Sequence, residues 1–103
     1  MTAKSYTNTS QQRLLRVLHA LFSDVVMGLP PSAIAKAVAA SPSVITRDLN
    51  NLRTAGWAER DEATGLWRLT PVLPRQAIKV QAAISRHESR IDETRQRYTR
   101  NPD

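Results

Sequence analysis

Polar side chains recur at helical spacing on one side of residues 42–54, and their chemistry suits nucleic acid. At about 100° of rotation per residue, the side opposite an apolar stripe carries Ser43, Arg47, Asn50 and Thr54, with Thr46 at its edge. Hydroxyl, amide and guanidinium groups form hydrogen bonds with base edges and phosphates. A merely solvated helix face would be richer in Glu and Lys. This face therefore predicts contact with DNA.

Enzymatic chemistry has little support in the residue types of this chain. The absence of Cys removes thiol nucleophiles, disulfides and thiolate metal sites, and there are only two His residues. Ser43, His87 and Asp92 form a catalytic triad only on paper, because nothing in their spacing supports one. We therefore expect no catalysis, no metal and no cofactor.

The charge of the chain indicates an anionic partner. The net charge is +6, and Arg supplies twelve of the fifteen basic residues. The planar fork of Arg suits phosphate oxygens and guanine edges, although a charge of this size would also serve solubility alone. No apolar stretch is long enough for a membrane span, and residues 1–10 do not resemble a secretory signal. We expect a cytoplasmic protein, either nucleoid-associated in a bacterium or encoded by a phage or mobile element.

Three helices are predicted before residue 56. The first runs from about Ser10 to Phe22 behind an N-cap at Thr9, and its apolar stripe comprises Leu14, Leu15, Leu18, Leu21, Phe22 and Val25. The second begins at Pro31. The third begins at Pro42 with Ser41 as its N-cap, buries Ile45, Leu49 and Leu52, and ends at Gly56.

Two short strands and a long helix are predicted after Gly56. Alternating runs at residues 57–61 and 66–70, separated by a turn that ends in Gly65, indicate a β-hairpin with Trp67 and Leu69 facing the helices. Pro71 and Pro74 are expected to mark a joint. No Gly or Pro follows between about Arg75 and Tyr98, which predicts one final helix.

Together these elements predict a mainly α fold with a small β-hairpin: a winged helix-turn-helix followed by a long C-terminal helix. We expect a disordered arm at residues 1–9, the winged domain at 10–73 and the C-terminal helix at 74–100. In such a fold the third helix enters the major groove and the hairpin, or wing, reaches the backbone.

The final helix carries an apolar repeat of seven residues, typical of a helix that pairs with a second copy. The proposed dimerisation residues are Ala77, Val80, Ile84, His87, Ile91 and Tyr98. The alternative is a helix packed back on its own domain through Ala77, Ile78 and Val80. Dimerisation is favoured because Ile91 and Tyr98 lie too far along the helix to reach one small core.

Residues 11 to about 74 resemble the IclR-type DNA-binding domain of bacterial transcription regulators. The segments that carry the likeness are Arg13-Leu14-Leu15-Arg16-Val17-Leu18, Ile34-Ala35-Lys36-Ala37, Ser43-Val44-Ile45-Thr46-Arg47, Ala55-Gly56-Trp57-Ala58-Glu59-Arg60 and Thr64-Gly65-Leu66-Trp67-Arg68-Leu69. The resemblance implies a dimer that binds specific DNA sequences, with Ser43, Thr46 and Arg47 at bases and phosphates. Two departures are the Ser41-Pro42 turn and the lack of the large C-terminal effector domain, so no small-molecule effector is implied.

We therefore expect a DNA-binding transcription regulator that acts as a homodimer on double-stranded DNA. The expected DNA contacts are Lys36, Ser43, Val44, Thr46, Arg47, Asn50, Thr54, Arg60 and Arg68. Arg60 and Arg68 could instead balance Glu59, Asp61 and Glu62 within the hairpin. Two alternative functions stay open: a winged-helix protein-interaction adaptor, and a replication or partition factor of a mobile element.

Overall fold

The computed structural model describes residues 6–100. The elements are α1 (Thr9–Ala20), a 3-10 turn (Leu21–Ser23), α2 (Pro31–Val38), α3 (Pro42–Thr54), β1 (Ala58–Arg60), β2 (Trp67–Leu69) and α4 (Val72–Thr99). The chain divides into two compact units, with the boundary between Val72 and Leu73. Most of the expected N-terminal arm lies outside the described residues.

The first unit is built on a small apolar core to which three helices and the hairpin contribute. Fully buried side chains come from α1 (Val17), the 3-10 turn (Leu21), α2 (Ile34) and α3 (Ile45 and Leu49). Strand β2 adds Trp67 and Leu69, which are 5% and 7% exposed. The predicted orientation of these two strand residues toward the helices is confirmed.

The ends of the first helix differ from those predicted. Asn8, rather than Thr9, is the N-cap, because its side chain accepts a hydrogen bond from the Gln11 N–H at 3.1 Å. The α-helix ends at Ala20 and tightens into the 3-10 turn. Its apolar stripe is also narrower than predicted, since Leu15 and Phe22 are 56% and 50% exposed.

Those two side chains stay exposed because of what faces them. Leu15 and Phe22 line an open groove whose other wall, on α2, includes Ala33 and Ala37. Alanine methyl groups are too short to cover a Leu and a Phe. Val25, the last member of the predicted stripe, lies beyond the helix and is 50% exposed.

The two ends of helix α3 lie where the sequence predicts them. Ser41 caps its start by accepting a hydrogen bond from the Val44 N–H. At its end, the Trp57 N–H bonds to the Leu52 carbonyl across Gly56, whose φ is +89°. This hydrogen bond belongs to a Schellman motif, which favours glycine at its left-handed residue.

The two strands pair antiparallel, with Ala58 opposite Leu69, Glu59 opposite Arg68 and Arg60 opposite Trp67. Leu29 adds a single bridge on the other side of β2 through two hydrogen bonds of 2.8 Å with Trp67. This bridge ties the wing to the segment between α1 and α2. Three helices followed by this hairpin make a winged helix-turn-helix, so the predicted fold class is confirmed.

The second unit consists of α4, which starts earlier than predicted. Pro74 lies in the first turn of the helix, where its missing N–H would have no helical partner, and the boundary between the two units falls between Pro71 and Pro74, as expected. At the start of α4, the Val72 N–H donates a hydrogen bond to the Thr70 hydroxyl oxygen at 3.4 Å. No helix within residues 6–100 is long and apolar enough to cross a membrane.

Candidate nucleic-acid interface

Helix α3 is held on the first unit by both apolar packing and an ion pair. Asp48 is 3% exposed and accepts two hydrogen bonds from Arg13 of α1, at 2.6 Å from Nε and 3.0 Å from Nη2. The hydrogen bonds to Asp48 raise the pKa of Arg13 above its ordinary value. This two-pronged contact fixes the rotation of α3 and leaves no uncompensated carboxylate beside its outer face.

The Arg13–Asp48 pair was not predicted from the sequence. A sequence signal for it exists, because Asp48 lies three residues after Ile45 and four before Leu52, both of which are buried. An acidic residue next to a buried stripe needs a partner.

The outer face of α3 is exposed except at Asn50. Ser43, Thr46, Arg47 and Thr54 are exposed, whereas Val44 and Asn50 are half-buried. The hydroxyls of Thr46 and Thr54 donate to backbone carbonyls of the preceding turn, at 3.0 and 2.9 Å. Their oxygen lone pairs remain able to accept hydrogen bonds from a ligand.

Arg47 is the cation of this face that remains available. Its guanidinium forms no hydrogen bond or ion pair with any part of the chain that the structure describes. Its neighbour Asp48, an obvious candidate partner in sequence, is already occupied by Arg13. Arg47 therefore projects an uncompensated charge and five donors outward.

Asn50 is more constrained than the sequence suggested. Its amide Nδ2 donates to the Thr46 carbonyl at 2.9 Å, and its Oδ1 accepts from Arg53. The Arg53 guanidinium also lies over the Trp67 ring, 5.2 Å from the ring centroid. Arg53, which was not among the predicted contacts, thus connects the α3 face to β2.

Lys36 lies exposed in the last turn of α2 and has no ion pair among residues 6–100. It is therefore a basic side chain outside α3 that a phosphate could reach without displacing a carboxylate.

The two wing arginines are paired inside the hairpin. Arg68 donates to Glu59 at 2.9 Å and to Asp61 at 3.0 Å, and Arg60 donates to Glu62 at 2.9 Å. These contacts raise the pKa of Arg68 and, with backbone N–H groups of Thr64 and Ala63, lower the pKa of Asp61. With three carboxylates against two guanidinium groups, the wing is not a basic surface.

The predicted dimerisation residues lie along one face of α4. Ile84, Val80, Ile91 and Tyr98 are 46%, 57%, 59% and 77% exposed, and Ala77 and His87 are exposed as well. Within the described residues, no cluster of three or more His, Asp or Glu could hold a metal ion.

The chain is similar to solved winged-helix structures. One is the Zalpha domain of ORF112 from cyprinid herpesvirus 3, in a structure of its binding mode to Z-DNA. That chain has a TM-score of 0.53 and 22% sequence identity, over 61% of this chain and 100% of its own. This likeness shows the fold.

Another similar structure is a mutant of ZitR from Lactococcus lactis. Its TM-score is 0.44 and its identity 18%, over 90% of this chain and 67% of its own. No protein-family model matches the chain, and no curated protein sequence matches it.

Proposed function

We propose that this protein is a DNA-binding transcription regulator that reads double-stranded DNA with α3. The observation that carries the proposal is Arg47, an unpaired guanidinium amid exposed hydroxyl groups on a helix fixed to the core. Arg binds guanine O6 and N7 in a bidentate manner, and Ser and Thr contact bases or phosphates. The resemblance to IclR-type domains assigns the same roles to Ser43, Thr46 and Arg47.

The other predicted DNA contacts differ in how readily they can reach DNA. Lys36 is proposed to bind a phosphate, and Val44 and Thr54 to line the edge of the interface. Asn50 uses one amide hydrogen and one oxygen lone pair within α3, so one donor and one acceptor remain for a base edge. The charges of Arg60 and Arg68 are already compensated by wing carboxylates, so we propose that the wing contributes less than the α3 face.

We further propose that α4 pairs two copies of the chain and that the dimer binds an inverted repeat in a bacterial cytoplasm. A two-fold dimer places its half-sites one or more helical turns apart. Nothing in the sequence implies a small-molecule effector or a cofactor. A replication or partition factor of a mobile element would use the same interface on DNA.

The test begins with selection of bound duplexes from a random pool, followed by comparison of the selected site with scrambled DNA. Arg47→Ala is expected to lose about 1–3 kcal/mol of discrimination between the two. Arg16→Ala, which removes an exposed Arg from α1, is the matched control and should leave discrimination unchanged. Equal discrimination in wild type and Arg47→Ala would mean that α3 is not the reading helix.

A protein-interaction adaptor is the second candidate function. The apolar groove between α1 and α2, with half-exposed Leu15 and Phe22, favours it. Under this alternative the selection yields no enriched sequence, whereas Leu15→Ser with Phe22→Ser abolishes binding to a partner protein. The groove and the α3 face involve different side chains, so the two functions are tested independently.

A further inference from the structure

The positive charge of this protein is concentrated on α4. Residues 6–72 contain seven basic and five acidic side chains, whereas residues 73–100 contain seven basic and only three acidic ones. In the first unit, Arg13, Arg60 and Arg68 are already paired with carboxylates. The described part of the winged unit thus has a net charge of +2 (seven basic minus five acidic), against +4 (seven minus three) for residues 73–100.

The basic side chains of α4 form a second stripe, distinct from the apolar one. Steps of four, seven, four and seven residues place them within about 60° of one another, and we call this set the basic stripe: Arg75, Lys79, Arg86, Arg90 and Arg97. It spans about 33 Å of the helix. Its centre lies about 130° around the helix from the apolar stripe, so a dimer formed through the apolar residues would leave it free.

The basic stripe has no carboxylate partner in the part of the chain that the structure describes, where the Arg97 guanidinium lies over the Tyr98 ring, 5.3 Å from the ring centroid. All five side chains are exposed, and none of them forms an ion pair with another described residue. Glu93 lies at the edge of the stripe without pairing to it, and Asp92 accepts instead from Gln96 at 3.3 Å. This arrangement contrasts with the wing, where every arginine has a carboxylate partner.

We infer that the basic stripe of α4 binds the phosphate backbone of double-stranded DNA and supplies most of the sequence-independent affinity. Four of its five members are Arg, whose fork matches phosphate oxygens. Guanidinium groups spaced along about 33 Å of helix suit the regular array of backbone charges. The inference rests on the proposed function, because it assigns the α4 unit to the same duplex that α3 reads.

A membrane surface fits this helix less well. An interfacial helix buries its apolar face and carries basic residues beside it. In α4, Glu88 lies closer to the apolar stripe than the basic stripe does, at about 60° from its centre. Inserting the apolar stripe into anionic lipid would bring Glu88 toward the negative surface.

The test is the salt dependence of DNA binding by the full-length chain. Arg86→Gln, Arg90→Gln and Arg97→Gln together remove charge with little change in helix propensity. Each lost phosphate contact makes the slope of log affinity against log salt shallower by about 0.9, so we expect about 2–3 units. The shift should be the same on the selected site and on scrambled DNA, with discrimination between them unchanged.

Two matched variants sharpen this test. Arg95→Gln removes the same charge from the same helix, but on the side of the apolar stripe, and should leave the slope unchanged, whereas Arg90→Gln alone lowers it by about 0.9. Replacing the three arginines with Lys should retain the wild-type slope. Circular dichroism and sedimentation would check that all variants keep the wild-type helicity and oligomeric state.

Several outcomes would overturn the inference. An unchanged slope in the triple variant, or equal shifts for Arg90→Gln and Arg95→Gln, would show that the stripe does not contact DNA. If the triple variant no longer sediments with phosphatidylserine vesicles but still binds DNA as the wild type does, the stripe would be assigned to membranes. If Arg47→Ala still loses discrimination, the proposed function stands while this inference fails; if the wild type binds no DNA, both fail.

Discussion

The arginines of the first unit do different work because their neighbours differ. Arg13 is bound to buried Asp48 and positions α3, whereas Arg53 joins Asn50 to the Trp67 ring. Arg68 is held between two wing carboxylates. Arg47 lacks such a partner among residues 6–100 and is therefore the arginine of α3 best placed for a ligand. Counting basic residues would not have separated these roles.

Gly28 is the glycine with the least room for a side chain. Its φ is +89°, and a Cβ atom there would lie 2.5 Å from the Trp67 carbonyl oxygen. Gly28→Ala adds a collision with the backbone to the cost of a left-handed conformation, and should destabilise the fold by about 2–5 kcal/mol. Gly56→Ala has the same φ but nothing within 4 Å, so we expect only about 1–2 kcal/mol.

Urea unfolding followed by Trp fluorescence measures both changes. If Gly28→Ala costs no more than Gly56→Ala, then the close approach of Gly28 to β2 does not constrain the fold.

Asp61 gives the wing a dependence on pH. Its pKa is lowered from the ordinary 3.8, first by the hydrogen bond from Arg68 and then by the backbone N–H groups of Thr64 and Ala63. A carboxyl with a lower pKa in the folded state stabilises the fold above its unfolded value. This stabilisation is lost as the pH falls below about 4 and through the folded pKa.

Asp61→Asn and Arg68→Gln are therefore each expected to reduce the slope of unfolding free energy against pH between about pH 5 and 3. Urea unfolding at several pH values would measure it. If a variant has the same slope as the wild type, the wing ion pairs do not contribute to the stability of the fold in acid.

At the scale of elements, α3 was the most predictable part of the chain. Its cap, its buried stripe and its outer face all follow from local sequence, because Ser41, Pro42 and Gly56 fix its ends. The orientation of α1 was less predictable, since a helix with Leu on several sides is oriented by its neighbours. Here Arg13–Asp48 and the small residues of α2 turn Val17 toward the core and leave Leu15 outside.

The sequence alone also could not decide whether the hairpin arginines form ion pairs within the hairpin. The acidic residues of the wing allowed either a DNA contact or internal balance for Arg60 and Arg68. The antiparallel register decides this locally, because it places Glu59 directly opposite Arg68. Register depends on the turn and on packing of Trp67, which composition does not reveal.

The difference between α2 and the wing leads to a prediction about salt dependence. Lys36→Ala removes an unpaired charge and should make the slope of log affinity against log salt shallower by about one unit on any DNA. Arg68→Ala frees Glu59 and Asp61 and should lower the affinity by repulsion, besides losing any contact of its own. Anisotropy titrations of Arg68→Ala and of the triple variant Glu59→Gln, Asp61→Asn, Arg68→Ala separate the two effects. Equal affinity of these two variants would contradict a repulsive role for the carboxylates.

At the scale of the whole molecule, the two units carry different kinds of surface. The winged unit provides the polar face on α3, and the α4 unit provides most of the net charge together with an unpartnered apolar stripe. Exposed Ile residues at seven-residue spacing contribute nothing to a lone helix, whereas each one buried in a dimer contributes roughly 1.5–3 kcal/mol. This difference favours two copies of α4 over one.

Ile84→Asp with Ile91→Asp tests the dimer directly. The two substitutions place like charges across the proposed contact and should give a folded monomer, because residues 6–72 have their own core. The wild type is expected to sediment as a dimer at tens of micromolar. Ile78→Asp with Ser89→Asp places two acidic residues on the opposite side of the same helix and should remain dimeric.

The monomeric variant also separates affinity from symmetry on DNA. One copy still carries Arg47 and its own basic stripe, so weak non-specific binding should persist, whereas the preference for an inverted repeat over a single half-site should disappear. Sedimentation and titration on both duplexes measure this. A wild type that sediments as a monomer, or an Ile84→Asp, Ile91→Asp variant that stays dimeric, would reject the apolar stripe as the dimer contact. The α4 unit would then act on DNA from one copy of the chain.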